Sequence, residues 1–313
     1  MPASAQAAAR GANRWSPRRL FGARQAHAWW SRLSTGLFLL PGLVLLAIFA
    51  VGPFLYALYL SFTDTLLLAP QAARWIGWAN YLRLFREPDF WNALGNTMEF
   101  VLIVVPVQTA LALALAILVN QKLKGVTFFR GVFFSPVVLS MVVVSIVWTL
   151  LYNRDSGLIN GFLQHLGIPP QPWLLSESQA MPSIIITSIW QGVGYQMVIF
   201  LAGLQDIPKE LYEAAAIDGA GRWQQFRYVT LPGLRNVTLF VVVITTIFAF
   251  KLFTQPFIMT KGGPNGATKT IVYYMWEQGF RANLIGYSAA VAVVFFLLVL
   301  GISILQHRLG TND

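Results

Sequence analysis

Six long stretches with almost no charged residues constrain the fold of this chain more than any other feature. They lie at about residues 35–62, 93–120, 131–152, 181–205, 236–260 and 284–307. Each exceeds the roughly 20 residues that a transmembrane helix needs and is too long for a strand. Backbone groups in lipid must form hydrogen bonds within their own segment. The sequence therefore predicts an all-α, polytopic membrane protein with six transmembrane helices.

The composition excludes several other classes of protein. Only 11% of the residues are charged, whereas soluble domains carry about 25%. The net charge of +10 does not indicate nucleic-acid binding, because the basic residues lie between the apolar stretches rather than on one folded face. The absence of cysteine excludes disulfides and thiolate metal sites.

The basic residues also predict an orientation, because lysine and arginine favour the cytoplasmic side. Fourteen of them fall on the side of the two termini and seven on the other, with Lys251 inside a span. Residues 1–32 contain six arginines and no acid, and we expect a cytoplasmic tail that leads into an uncleaved signal anchor. Residues 33–308 form the predicted membrane domain and 309–313 a short cytoplasmic tail.

The fourth loop is predicted to be cytoplasmic and to contain a short helix at 208–219. Pro208 suits a helix start, and Gly219 suits the position just past a helix end. One side of this helix is small and carries an acid, at Leu211, Ala214, Ala215 and Asp218. Such a side suits docking into a groove of another protein. The alternative, an amphipathic helix lying on lipid, is disfavoured because its polar face has few cations.

This segment resembles the EAA motif of importer-type ABC transporter permeases, which reads E-A-A, three residues, G, nine residues, I-x-L-P. The matching residues are Glu213, Ala214, Ala215, Gly219, Leu231 and Pro232, with Val229 in place of isoleucine. Further stretches, over about residues 35–308, resemble the sugar-permease branch of the maltose and glycerol-phosphate type. They are Leu39-Leu40-Pro41-Gly42, Phe128-Phe129-Arg130, Gly157-Leu158-Ile159-Asn160, Pro172-Trp173-Leu174 and Thr260-Lys261-Gly262-Gly263-Pro264.

Two departures accompany the resemblance. Lys261 stands where the branch usually has glycine, and the long outer domain of the maltose-type subunit is missing. The resemblance implies the type I ABC importer permease fold, with a second and different permease chain, two ATP-binding subunits and an extracytoplasmic solute-binding protein as partners. The short helix, with Asp218 at its end, would be the coupling helix that docks into an ATPase subunit.

The resemblance also implies a transport subunit rather than an enzyme, in a bacterial-type inner membrane. No G-x-x-x-x-G-K-[ST] pattern occurs in the chain, so no phosphate-cradling loop is present. We therefore expect ATP and magnesium to bind to the partner ATPase, with no cofactor or metal in this chain. The solute class implied is a carbohydrate or a related compound.

Candidate solute-pathway residues lie in the fourth span. Its Trp190-x-Gly192-x-x-Tyr195 pattern resembles the part of the maltose-type subunit that touches sugar. Tyr195 could stack on a sugar ring, and amides could bind hydroxyl groups. The competing interpretation is that these polar residues join helices to one another. The candidates are Gln191, Gly192, Tyr195 and Gln196.

A second polar stretch in the fifth span comprises Phe250, Lys251, Thr254 and Gln255. A lysine within a span is costly and rarely faces lipid. Lys251 could face the pathway and favour an anionic solute such as a sugar phosphate. It could equally extend to the outer surface or pair with Glu99.

The outer loop that follows the fifth span is rich in glycine and is basic. Lys261 and Lys269 are candidates for contact with an acidic patch on the binding protein. The main rival function is an ion-coupled secondary transporter, which would need more ionisable residues within spans than Glu99 and Lys251. A zinc protease of the membrane is disfavoured because H-E-x-x-H is absent.

Overall fold

The structure, a computed structural model, describes residues 37–121 and 124–311, with side chains up to residue 308. The predicted cytoplasmic tail, residues 1–32, lies outside the described residues. The chain divides into two compact units, Met1–Tyr56 and Ala57–Asp313. The described residues of the first unit lie in helix α1, which spans Leu37–Leu60. The last residues of this helix therefore belong to the second unit. Helix α1 contains a π-helical turn at Ala47–Val51.

The second unit is helical apart from connecting loops. Among the described residues the one β pairing is an isolated bridge between Thr63 and Trp75. The helices after α1 are α2 (Ala79–Arg86), α3 (Pro88–Val119), α4 (Val126–Val138), α5 (Met141–Leu151), α6 (Leu158–His165), α7 (Glu177–Asp206), α8 (Lys209–Ile217), α9 (Arg222–Gly233), α10 (Arg235–Phe250), α11 (Ile271–Trp276) and α12 (Ile285–Thr311).

Within the described part of the chain, four helices are each long and apolar enough to cross a membrane: α1, α3, α7 and α12. Each covers most of a predicted span. Helix α12 continues through residues 309–311, which the sequence assigned to the tail. Two bent helix pairs bring the number of spans to six if each pair crosses once.

The third predicted span, 131–152, is not one continuous helix. Helices α4 and α5 meet at a bend of 99°. Pro136 lies inside α4, and Leu139 and Ser140 then take extended backbone conformations. An extended residue interrupts the helical hydrogen-bond ladder, so the chain changes direction here. Pro136 is thus followed within four residues by a full break in the helix.

The fifth predicted span, 236–260, is also corrected. Helix α10 ends at Phe250, and a separate π-helical turn occupies Pro256–Thr260. At its other end α10 meets α9 at a bend of 65°. The long apolar run therefore contains one helix and a separate π-helical turn that leads into the 261–270 loop.

Helix α7 packs along both α3 and α4. Its approach to α4 is close at Gly194, where a Cβ atom would lie 2.1 Å from the carbonyl oxygen of Phe133. Only glycine fits such a backbone contact. Two groups of buried apolar residues fill the spaces between α3, α7 and α10, and they include Phe100, Phe200 and Leu234. This packing holds α3, α7 and α10 in place around a cavity.

Candidate functional site

A cavity of about 580 Å³ lies between α3, α7, α10 and the segment that follows α10. Much of its wall is apolar, with aromatic side chains from Tyr195, Phe248 and Phe253. A concave apolar site with a few placed polar groups is the usual form of a small-molecule site. The polar and charged residues that line it are Gln108, Ser188, Gln191, Tyr195, Gln196, Thr245, Lys251, Thr254 and Gln255.

Gln196 is held in one orientation by its neighbours. Thr245 donates its hydroxyl hydrogen to the carbonyl of Val241 at 2.6 Å, so its oxygen can only accept from Gln196. The Nε2 group of Gln196 donates to it, which turns Oε1 the other way. Gln196 is only 3% exposed, and its Oε1 has no hydrogen-bond partner among the described residues. This oxygen has almost no exposed surface. A buried acceptor without a partner is costly, so a hydroxyl donor that reached it from the cavity would stabilise it.

Gln255 is fixed in a similar way. Its Nε2 donates to the Ser188 hydroxyl oxygen at 3.0 Å, and Ser188 donates to the carbonyl of Ile184 at 2.8 Å. Gly192 makes room for another amide, because a Cβ atom there would lie 2.6 Å from Nε2 of Gln108. The amide groups are therefore positioned by the helices and not by solvent.

Six of the seven sequence-predicted pathway residues line this cavity: Gln191, Gly192, Tyr195, Gln196, Lys251 and Gln255. Phe250 does not. It is 1% exposed and its ring lies 6.0 Å from that of Phe295, centroid to centroid. Phe250 precedes Lys251 in the last helical turn, and its side chain points into the apolar core instead.

Sequence reasoning missed three polar residues of the cavity wall, Gln108, Ser188 and Thr245. Each lies within an apolar span beside a second polar residue, which is Thr109, Thr187 or Thr246. Such a polar pair within an apolar run was the available signal. Glu99, by contrast, is exposed on α3 and does not line the cavity. Among the described residues there is no ion pair between Glu99 and Lys251.

The predicted docking helix forms as α8, somewhat shorter than 208–219. Pro208 precedes the helix as its N-cap rather than occupying its first position. At the other end Gly219 has φ +81°. Its N–H bonds the carbonyl of Ala216 at 3.1 Å, and the N–H of Ala220 bonds that of Ala215 at 2.9 Å. These two bonds form a Schellman motif, which needs the left-handed residue that glycine provides.

The side of α8 that faces away from the rest of the unit is part apolar and part acidic. Ile217 is 87% exposed and Leu211 51%, and Ala214 lies between them. Glu213 and Asp218 are exposed as well, whereas Ala215 is half-buried. Exposed apolar residues rimmed by polar ones mark surfaces that another protein covers.

Tyr212 anchors α8 from the opposite side, and sequence reasoning missed it. Its hydroxyl lies 3.0 Å from that of Thr230, directly before Leu231 and Pro232. Those two motif residues lie in the last turn of α9, at the bend into α10. The motif thus places a glycine turn at one end of α9 and a proline-marked bend at the other.

The two lysines of the 261–270 loop differ in their surroundings. Lys261 is exposed and has φ +53°. The side chain of Lys269 is only 18% exposed and its Nζ lies 2.7 Å from Glu277 and 3.8 Å from Asp89. Lys269 is therefore occupied by contacts within the chain. The described residues contain no group of His, Asp or Glu side chains that could hold a metal ion.

Residues 20–311 match the family model described as "Binding-protein-dependent transport system inner membrane component". The chain is 38% identical to a probable ABC transporter permease protein, YurN, of Bacillus subtilis over 87% of this chain and 94% of YurN. It is 32% identical to the trehalose/maltose transport system permease protein MalF of Thermococcus litoralis, over 88% and 92% of the two chains.

A solved structure has a similar fold. It is the crystal structure of a bacterial ABC transporter involved in the import of the acidic polysaccharide alginate. Its chain superimposes with a TM-score of 0.80 at 21% identity, and the match covers 91% of this chain and 100% of that one.

Proposed function

This chain belongs to the family of binding-protein-dependent transport system inner membrane components, and we propose that its cavity binds a carbohydrate during import. The chain is a membrane permease subunit of an ABC importer and a transport component, not an enzyme. The family match disfavours an ion-coupled secondary transporter. Relatives named for trehalose/maltose transport support the carbohydrate class.

The observation that carries the proposal is the free acceptor of Gln196. A sugar presents many hydroxyl donors and apolar C–H faces. Gln196 Oε1 can accept from a hydroxyl, while Tyr195, 40% exposed beside it, offers a ring for a sugar face. Gln191 on α7 and Gln255 after α10 add amide groups to the lining of the same cavity. This combination suits a polyhydroxylated solute better than a simple ion.

The second part of the proposal concerns force transmission. Helix α8 docks in an ATPase subunit that binds ATP and magnesium, and this chain pairs with a second permease subunit that completes the pathway. The exposed Ile217 and Leu211 support an apolar contact in the ATPase cleft. Glu213 is exposed and its carboxylate can accept bonds from donors of the partner. Both termini and α8 are cytoplasmic in this arrangement.

On the opposite side, a solute-binding protein delivers the carbohydrate near the 261–270 loop. Lys261 is available there for an acidic partner. Lys269 contributes by holding the loop in place through Glu277, rather than by direct contact. The family description, binding-protein-dependent transport, supports this delivery.

The test of the solute site uses the assembled importer in proteoliposomes with its binding protein and a panel of carbohydrates. Gln196→Met keeps the side-chain length but removes both the acceptor oxygen and the donor to Thr245. We expect uptake to fall about tenfold, which corresponds to about 1.4 kcal/mol and to one hydrogen bond. Gln205→Met is the matched control, because Gln205 is exposed at the end of the same helix and outside the cavity. Equal uptake by both variants would contradict the proposal.

A further inference from the structure

Lys251 is the only residue of the described cavity wall with a formal charge. Every other polar residue there is a neutral amide, hydroxyl or phenol. No aspartate or glutamate lines the cavity among the described residues. A neutral carbohydrate needs only the amides and hydroxyls, so the ammonium group of Lys251 needs a separate explanation.

The surroundings of Lys251 do not neutralise it. No ion pair involves Lys251 within the described part of the chain. The pairing with Glu99 that the sequence allowed is therefore not formed there. Lys251 is the C-cap of α10, and its N–H bonds the carbonyl of Phe248 at 3.1 Å. The negative end of the helix dipole there offers only a fraction of a charge.

The position of Lys251 along α10 places it in the outer part of the membrane. Helix α10 begins at Arg235, so Lys251 lies roughly 24 Å further along at 1.5 Å per residue. A bilayer core is about 30 Å thick, and the turn Pro256–Thr260 and the 261–270 loop follow Lys251 in the chain. The residue is exposed and lines the cavity together with Phe248 and Phe253. Its ammonium group is therefore accessible to a solute that enters the cavity from outside.

A charged lysine within a membrane protein costs about 2.5–3.5 kcal/mol on insertion scales, and it is usually retained where a charge is needed. Combined with the sugar-binding character of the cavity, this points to the charge class of the solute. Resting on the function proposed above, we propose that the solute is an acidic carbohydrate whose anionic group pairs with Lys251. A carboxylate, a sulfonate and a phosphate ester share the chemistry that a lysine ammonium recognises.

The cavity divides the recognition between two walls. The amides of Gln191 and Gln196 on α7 face hydroxyl groups, and Lys251 at the end of α10 faces the anion. The same arrangement makes Lys251 selective, because a neutral sugar would leave the ammonium group without a partner. Specificity of this kind arises from a cost imposed on the wrong solute.

The experiment measures uptake by the assembled importer with its binding protein in proteoliposomes. The probes are matched pairs: galactose and galacturonic acid, cellobiose and cellobiouronic acid, maltose and maltose 6-phosphate. We expect the importer to take up an acidic member in preference to its neutral partner. Lys251→Gln should lower acidic uptake at least tenfold, and Lys251→Arg should retain most of it. Arg154→Gln is the control, since Arg154 is exposed on a loop outside the cavity.

Folding is checked separately by co-purification of each variant with the ATPase and the second permease. Among assembled variants, acidic uptake unchanged by Lys251→Gln overturns the inference. Uptake of a neutral sugar with its acidic partner refused also overturns it, but leaves the carbohydrate function standing. Uptake of no carbohydrate at all, with transport of another class of solute, contradicts the proposed function itself and the inference with it.

Discussion

Gly219 shows how one backbone conformation can serve a function. Its φ of +81° closes α8 and turns the chain into α9. No atom of the described residues lies within 4 Å of the place where a Cβ atom would stand. A side chain there would therefore meet no steric barrier from neighbours, and its cost would come from the left-handed backbone alone.

We predict that Gly219→Val loosens the end of α8 without preventing membrane insertion. The local cost is about 1–2 kcal/mol from the left-handed conformation. We expect more ATP hydrolysed per solute transported, measured on the assembled importer in proteoliposomes. Gly221→Val is the control because Gly221 has an ordinary extended backbone, with φ −71°. Equal coupling ratios in the two variants would show that the glycine conformation has no role in coupling.

At this scale the sequence was a good guide where a motif demanded a particular residue. The left-handed glycine and the cavity amides on α7 were both predictable. Phe250 was predicted to line the pathway but lies in the core. The sequence around it mixes apolar and polar residues, so it does not show which side chains at the end of a helix face the core. Gln108 and Tyr212 were missed because their roles depend on partners far along the chain, at Gly192 and Thr230.

Among the elements, the crossing of α4 and α7 depends on a single glycine. The carbonyl of Phe133 approaches Gly194 so closely that any Cβ atom would force the two helices apart. Helix α7 carries several of the cavity residues, among them Gln191, Tyr195 and Gln196. This crossing therefore also sets the width of the site.

We predict that Gly194→Ala destabilises the protein by about 1–3 kcal/mol, as expected for overpacking. The measurement is the thermal unfolding of the purified importer. Gly95→Ala serves as the comparison, because Gly95 lies within helix α3 and an added Cβ atom there would meet no described atom within 4 Å. That change should leave stability unchanged or raise it slightly. Similar unfolding temperatures for the two variants would contradict the close crossing.

The elements themselves were predictable in number more than in shape. Hydropathy identified all six apolar stretches, since burial in lipid demands them. It could not show the break between α4 and α5 or the early end of α10, because apolar side chains satisfy a helix and a folded turn equally. The backbone conformations at Leu139, Ser140 and Lys251 decide these points.

Across the second unit as a whole, ion pairs and amides join distant parts of the chain around the 261–270 loop. Asn96 of α3 donates to the carbonyls of Gly266 and Lys269, at 2.7 and 3.0 Å. Lys269 in turn contacts Asp89 in the first turn of α3 and Glu277 directly after α11. This network fixes the loop relative to both helices.

We predict that Lys269 and Glu277 are energetically coupled. In a double-mutant cycle with Lys269→Ala and Glu277→Ala, we expect a coupling of about 1 kcal/mol, because both side chains are largely shielded from water. Thermal unfolding of the purified importer provides the values. Lys261→Ala, which removes an exposed charge from the same loop, should not change stability. Loss of binding-protein stimulation in Lys269→Ala at unchanged stability would instead favour direct contact with that protein.

The exposed apolar residues of α8 affect how the cell treats copies of this chain that have not been assembled. Ile217 and Leu211 form an exposed apolar surface whenever no partner subunit covers α8. Chaperones and quality-control proteases seek out such surfaces on unassembled subunits. If α8 docks as proposed above, we expect surplus copies of the chain to be degraded until an ATPase subunit covers this apolar surface, so that the same residues also control the ratio of the subunits.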